Sequence, residues 1–403
     1  MKNHPGFPRE PEQRAVVLEQ CRNLKMASSA SAYVRGSTSQ FYEWLDGHTI
    51  PAGPDIWICG DCHLGNLGPV ADGGGNIEIQ IRDFDQAVIG NPAYDLIRLG
   101  LSLATAARGS DLPGVTTARM LEQMIEGYSA GLQGDAAAEK DNQRPQSVRV
   151  VMRDAARRSW KHLARERIEN ARPTIPLGKR FWPLTPDERA ALDRLFATER
   201  LRQLATALSH RDDDAAIEVL DAAYWMKGCS SLGRLRFAVL LRVGDPGDGD
   251  DNLCLMDIKE AVRSAVPCEV RSRASEHDAE RVVAAARNLS PHLGQRMVAA
   301  RLLDCSVFVR ELLPQDLKVE IEQLSREEAM KAAWFLASVV GKAHGGQMDA
   351  ATRRRWHREI SRKTAKQLDA PSWLWSNVVG LMANQEAAYL EHCRRYALQE
   401  EAA

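Results

Sequence analysis

The chain has 403 residues, 44% of them hydrophobic and 27% charged, so it can bury a sizeable core and is too apolar for a disordered chain. Its 53 Lys and Arg balance 54 Asp and Glu to a formal charge of -1, which argues against a general nucleic-acid coat or a polybasic membrane binder. Eight irregularly spaced cysteines, no apolar leader and no uncharged apolar stretch of about 18 residues lead to the expectation of a cytoplasmic chain with reduced thiols and no membrane partner. Pro11 to Leu45 reads as mainly helical. DIWIC, from Asp55, reads as a strand that breaks into a loop rich in Gly, Asp and Asn and ends near Gly68. After a turn at Asp72 to Asn76, IEIQIRDFD alternates Ile with polar residues, which predicts a half-buried strand paired with its predecessor. A helix follows Asn91-Pro92, and the pattern stays helical to about Ala205, interrupted by loops near Pro113 and from Pro173 to Pro183.

From Tyr224 the texture becomes strand-like. WMKGCSSLGRLRFAVLLRV predicts a glycine turn and an alternating strand, with NLCLMDIKEAV as the hairpin partner across DPGDGDD. A helix from about Ser275 to Asn288, a strand at SVFVRELL and helices from Arg326 to His344 and Pro371 to Gln399 complete the chain. The expected domains are a helical first part over 1–214, a strand-rich unit over 215–322 and completing helices over 323–403.

The densest chemistry is in Cys59-Gly60-Asp61-Cys62-His63-Leu64-Gly65-Asn66, followed by Asp83-Phe84-Asp85. An Asp, an Asn and an apolar-flanked Asp at this spacing can supply a base for a hydroxyl and oxygen ligands for Mg²⁺, the parts that phosphoryl transfer requires. C-x-x-C-H also matches a haem-attachment or redox motif, but neither reading accounts for Asn66 and Asp83. Gly228, Ser230, Ser231 and Gly233 could bring backbone N–H groups to phosphates, though a plain hairpin turn is an alternative. The segment lacks the Lys-Ser/Thr ending of a Walker A loop.

CGDCHLGN resembles the HGDxHxGN loop of the aminoglycoside phosphotransferase and choline kinase group, and IRDFDQAVIGNPAYDL resembles that group's IDFDxAxxGxPxYDL segment. GDCHLGNLG, RDFDQA, KGCSSLGR and DIKEA together resemble bacterial domain-of-unknown-function family 2252, whose members look kinase-like. The resemblance implies an α+β, two-lobed, protein-kinase-like fold. The loop at 60 precedes the glycine turn and Lys259, so the lobes would be circularly permuted. It further implies ATP and Mg²⁺ as cofactors and an unidentified hydroxyl compound as acceptor. Asp61 would be the base, Asn66 and Asp83 metal ligands and Asp85 a second metal contact or a loop-ordering group. Lys259 would clamp phosphates, with Glu280 preferred over Glu276 as its partner. Two readings stay open beside phosphoryl transfer: a nucleotide-binding protein without turnover, and AMP transfer from the same fold. Cys59 stands where the resembled loop has His, and that side chain usually makes a structural hydrogen bond.

In the same group Asp95 supports the loop from beneath, VFVRELLP leads towards an adenine pocket, and insertions such as those between about 110 and 205 build the acceptor pocket. No role follows for Arg35 or His344. The basic stretches Arg144 to Arg172 and Arg353 to Lys366 read as solvated helix faces or, alternatively, as docking surfaces, with nucleic acid an unfavoured partner. Trp160 and Trp356 are expected to anchor those helices to the core. Permutation demands that Lys259 lie across a cleft from Asp83, within reach of one nucleotide.

Overall fold

The structure is a computed structural model that describes residue 8 and residues 10–134, 144–158, 174–208, 211–229, 232–244, 252–267, 278–317, 324–362 and 370–396. Its first helices are α1 (Pro11–Ala27), α2 (Ala30–Gly36) and α3 (Thr38–Leu45). Four short strands follow: β1 (Ile56–Ile58), β2 (Leu67–Ala71), β3 (Ile77–Ile81) and β4 (Val88–Gly90). The sequence predicts that Ile77–Ile81 pairs with the strand at Ile56, and here the structure differs: β3 pairs with β2, and β1 pairs with β4. The turn decides this. Asp72 Oδ1 accepts from the backbone N–H groups of Gly74 and Asn76 at 2.9 and 2.8 Å, so the chain doubles back at once and the residues just before the turn become the partner.

Helices α4 (Ala93–Gly109), α5 (Gly114–Gln133) and α6 (Gln146–Arg157) come next. The chain then enters a six-stranded antiparallel sheet at β5 (Phe181–Trp182), leaves it for α7 (Pro186–Phe196) and α8 (Glu199–Thr206), and returns as β6 (Ile217–Trp225), β7 (Arg236–Val243) and β8 (Leu253–Glu260). After α9 (Asp278–Leu289) and the single turn α10 (Pro291–Gly294), β9 (Met297–Leu302) and β10 (Cys305–Leu312) close the sheet in the order β5-β6-β7-β8-β10-β9. The remaining helices are α11 (Arg326–Gly345), α12 (Ala350–Ile360) and α13 (Ser372–Tyr396). Residues 174–208 therefore belong with the sheet: Trp182 and Leu184 with Leu192, Leu195 and Leu201 share one apolar cluster with Val239, Met256 and Val309. The boundary expected at 215 falls inside this unit, because a two-residue edge strand leaves no alternating pattern to read.

Period two is visible along β8. Cys254, Met256 and Ile258 face the cluster under α7 and α8, whereas Leu253 and Leu255 face the opposite side and are followed there by Asp257 and Lys259. That second face thus turns from apolar to charged at its C-terminal end. A larger core joins β1 to β4, α4, α5, α9, α11 and α13. Within it, α5 and α11 touch through glycines: a Cβ on Gly127 or Gly131 would overlap the backbone carbonyl of Trp334 or Ser338, and one on Gly341 that of Tyr128. Among the described residues no helix is long and apolar enough to cross a membrane.

Candidate functional site

One face of α4 supports the 59–66 loop residue by residue. Asp95 accepts from the backbone N–H groups of Cys59 and Gly60 at 2.7 and 2.9 Å. Arg98 Nε donates to Asp61 Oδ1 at 2.7 Å, and Ser102 Oγ accepts from the Leu64 N–H at 3.2 Å. Positions 95, 98 and 102 are three and four apart, which is one helical stripe. Behind Asp95 a polar chain runs outward: His344 Nε2 lies 3.1 Å from Asp95 Oδ2, the Tyr128 hydroxyl lies 3.0 Å from His344 Nδ1, and Trp356 Nε1 donates to that hydroxyl at 2.9 Å. Asp95, Arg98 and His344 are fully buried, so each charge or polar atom removed here would leave a partner dry and unpaired. Gly60 has φ of 73°, and a Cβ on it would collide with the Gln86 carbonyl, so only glycine lets the loop pass this close to the 83–87 segment.

Asp61, Asn66, Asp83, Asp85 and Lys259 come together where the charged end of the sheet face meets this loop. Asn66 Nδ2 donates to the Asp61 carbonyl at 2.8 Å, which leaves the amide oxygen as the group it can offer a ligand. The backbone N–H of Arg82 donates to the Asn66 carbonyl at 2.8 Å, which joins the loop to the segment after β3 that carries Asp83. Lys259 Nζ lies 3.4 Å from both Asp83 oxygens and 2.5 Å from Asp85 Oδ2, although 176 positions separate it from Asp83. Among the described residues nothing donates to the buried Asp85 Oδ1. The Asp83 side chain keeps 40% of its surface exposed, against 5% for Lys259 and 10% for Asp85.

Electrostatics divide the two carboxylates. Dense surroundings push Asp83 up, but Lys259, Arg310 and Arg236 outweigh them and hold it well below the usual carboxylate range. Burial, with Asp83 beside it, pushes Asp85 up. Burial holds the His63 imidazole down, at about 4, so it is neutral, with Nδ1 accepting from the Gly65 N–H at 3.0 Å. On the sheet face next to Lys259, Asp257 takes a two-pronged Arg236 at 2.9 and 2.6 Å and Arg310 at 3.0 Å; burial opposes its charge and the two arginines hold it far below the ordinary range.

The expected partner of Lys259 is corrected. Glu280 is exposed on α9, and the ion-pair partners of Lys259 among the described residues are Asp83 and Asp85. Helix periodicity is the reason: Ala279, Val282, Val283, Ala286 and Leu289 form the buried stripe of α9, which turns Glu280 to solvent. Arg281 projects inward instead, donating to the carbonyls of Asp85 at 3.0 Å and Val262 at 2.8 Å and to that of Ala87. Glu276 lies outside the described residues, as do Ser230 and Ser231. Gly228 and Gly233 flank those two serines, at φ of 102° and 94°, in the connection between β6 and β7.

The Cys59 thiol donates to the Asp83 carbonyl at 3.4 Å, making a hydrogen bond from the position where the resembled loop carries His. The sulfurs of Cys59 and Cys62 and an Asp95 oxygen lie within 4.8 Å of one another, but Asp95 is already committed to two backbone N–H groups and His344. Hydrogen bonding with Cys62, in which Cys59 keeps its proton, and burial push the Cys59 thiol well up, which suits packed thiols and not thiolate ligands. Trp356 is buried as the sequence predicts, whereas Trp160 and the ends of both basic stretches lie outside the described residues. Of two cavities, of about 500 and 980 Å³, neither is lined by Asp61, Asp83 or Lys259, and Gly233 borders the smaller.

Arg98, Arg281 and the Arg236–Asp257–Arg310 cluster escaped sequence reasoning. Arg98 had a signal: with Asp95 it places two charges three apart on the apolar face of AYDLIRLGL, and a charge there needs a partner. No curated protein matches the chain, and no solved structure does. The chain belongs to the family described as uncharacterized protein conserved in bacteria (DUF2252), whose profile matches residues 14–395.

Proposed function

We propose that this chain is an ATP- and Mg²⁺-dependent phosphotransferase acting on a hydroxyl, with a kinase-like arrangement whose two lobes are permuted in the sequence. The observation that carries the reading is Lys259, 3.4 Å from both oxygens of Asp83, with Asp61 and Asn66 on the adjoining loop. A cation clamp, two acidic oxygen donors, an amide oxygen and a further carboxylate are the parts that phosphoryl transfer needs, since its catalysis is mostly positioning and charge stabilisation. Asn66, Asp83 and Asp85 fit a divalent cation: Asp85 Oδ1 is buried without a described donor, and Asp83 is partly open. Bound there, Mg²⁺ would neutralise the phosphate oxygens. Lys259 is placed to hold phosphates. Asp61, fixed through Oδ1 by Arg98, keeps Oδ2 to orient an acceptor hydroxyl or take its proton.

Thermal unfolding with and without millimolar MgATP tests the reading. Binding at a hundred times Kd stabilises by about 2.7 kcal/mol and raises Tm. Asp83→Ala is expected to abolish the shift, and Asp61→Asn to keep it while lowering turnover by about a hundredfold or more. No shift in the parent, or an equal loss in both variants, contradicts these roles. Parallel assays with γ-labelled and α-labelled ATP separate phosphoryl transfer from AMP transfer, and binding without either label transferred is the signature of a non-catalytic nucleotide-binding protein.

A further inference from the structure

Besides Arg98, which is bonded to Asp61 itself, two further sets of cations stand around this loop. Lys259, Arg236 and Arg310 act on Asp83, the donor side of the proposed reaction. On the other side of the loop, Arg35 of α2 runs alongside His63 and Gly65: a Cβ built on Gly65 would meet Arg35 Cδ at 3.6 Å, and the guanidinium opposes protonation of His63. His63 Nε2 is itself 3.9 Å from Asp61 Oδ2. Arg35 also acts on the thiol of Cys229 in the glycine turn, together with Arg22 and Lys25 of α1. Lys25 Nζ donates to the Gly228 carbonyl at 2.6 Å, which ties the turn to this corner. The one described hydrogen bond from Arg35 runs from Nε to the Ser31 carbonyl at 3.2 Å. Its two terminal nitrogens keep their donors, and none of the three cations has a carboxylate partner among the described residues.

Lys25 reaches Gly228, Cys229 packs on α2 at Ala32 one turn before Arg35, and Arg22 stands one turn before Lys25 on α1, so cations without carboxylate partners from two helices flank Gly228 and Cys229 beside the proposed base and form a place for a dianion. We infer that Arg35, with Arg22 and Lys25, binds a phosphate group carried by the acceptor, so that the substrate class is a phosphorylated hydroxyl compound. This rests on the phosphotransferase reading for the word acceptor, but the anion site itself does not. Lys25 is tied to the turn expected to approach the donor phosphates, so the assignment to the acceptor rests on Arg35, which adjoins His63 and Gly65 on the Asp61 side, whereas Lys259 stands at Asp83 and Asp85.

The test uses the full chain saturated with a non-hydrolysable MgATP analogue, which fills the donor phosphate positions, and titrates inorganic phosphate by calorimetry. The parent is expected to bind phosphate. Arg35→Gln should weaken phosphate binding by about tenfold, the worth of one charge-assisted pair, and Arg35→Lys should fall between. Analogue affinity should stay within about twofold in both. Arg22→Gln, on the surface of α1, should weaken phosphate binding in the same direction, and equal unfolding midpoints show that the variants fold. Phosphate binding that is absent in the parent, or unchanged in Arg35→Gln, overturns the proposal. An equal loss of analogue affinity moves Arg35 to the donor and also overturns it. If the analogue fails to bind the parent, the phosphotransferase reading falls alone; the phosphate titration is then run on the free chain, where the Arg35→Gln comparison still decides the anion site.

Discussion

His63 illustrates how one buried side chain sets a pH response. Its imidazole titrates at about 4 because burial disfavours the charged form. In the unfolded chain it binds a proton near 6.5, so below that pH the unfolded state takes up a proton that the folded state refuses. The stability at stake is complete above about pH 6.5, declines as the pH falls towards 4, and levels off below; a shift of this size corresponds to about 3 kcal/mol. Asp83, Asp257 and Asp316, all held below the ordinary carboxylate range, act in a lower window, losing their contribution as the pH falls below the unfolded carboxylate value near 4. Denaturant unfolding of His63→Asn between pH 7 and 4.5 is expected to show a flatter stability profile than the parent. The Asn Oδ1 stands where Nδ1 does and can accept from the Gly65 N–H, so the local turn survives the exchange. An unchanged slope would place the titrating group elsewhere.

At the scale of elements, α11 connects packing to the site. Its glycines let it lie against α5, and the same helix carries His344, which braces Asp95 beneath the 59–66 loop. Gly131→Ala is therefore expected to destabilise by about 1–3 kcal/mol through overpacking against the Ser338 carbonyl. Gly114→Ala, at the start of the same helix with nothing within 4 Å of the new Cβ, should be neutral or stabilising by about 0.5 kcal/mol. Thermal melts of the two variants check this, and similar losses in both would mean that the crossing is not held by close backbone approach. The elements themselves were largely readable. Alternation in RFAVLLRV and LCLMDIKE announced the central hairpin, which pairs Arg236 with Lys259. The β2–β3 pairing was misread because LGPVA has no alternation, being buried on both faces.

Across the whole molecule, α1 joins the sheet to the helices. Arg14 holds Glu188 through two hydrogen bonds at 2.6 and 2.9 Å and reaches the Pro183 carbonyl at 2.8 Å, while Leu18 enters the apolar cluster under the sheet. Glu188 also caps its own helix by accepting from the Thr185 N–H at 2.8 Å. Arg14→Met would leave that carboxylate buried and half paired, at a cost of about 3–5 kcal/mol, and a second change, Glu188→Gln, should recover part of it. Chemical denaturation of the single and double variants measures both. A cost below about 1 kcal/mol in the single variant would mean that α1 is docked by its apolar face alone.

The amino-acid sequence by itself singled out Asp61, Asn66, Asp83 and Lys259 and determined the strands and helices near them, because motif spacing and periodicity are local properties of the chain. It could not determine who pairs with whom. Glu280 and Arg281 are neighbours in sequence and differ by one step around a helix, so only the packed stripe of α9 decided that Arg281 faces the 83–87 segment. In the same way, the approach of Lys259 to Asp83 spans 176 positions and that of Lys25 to Gly228 spans 203, which no local pattern encodes.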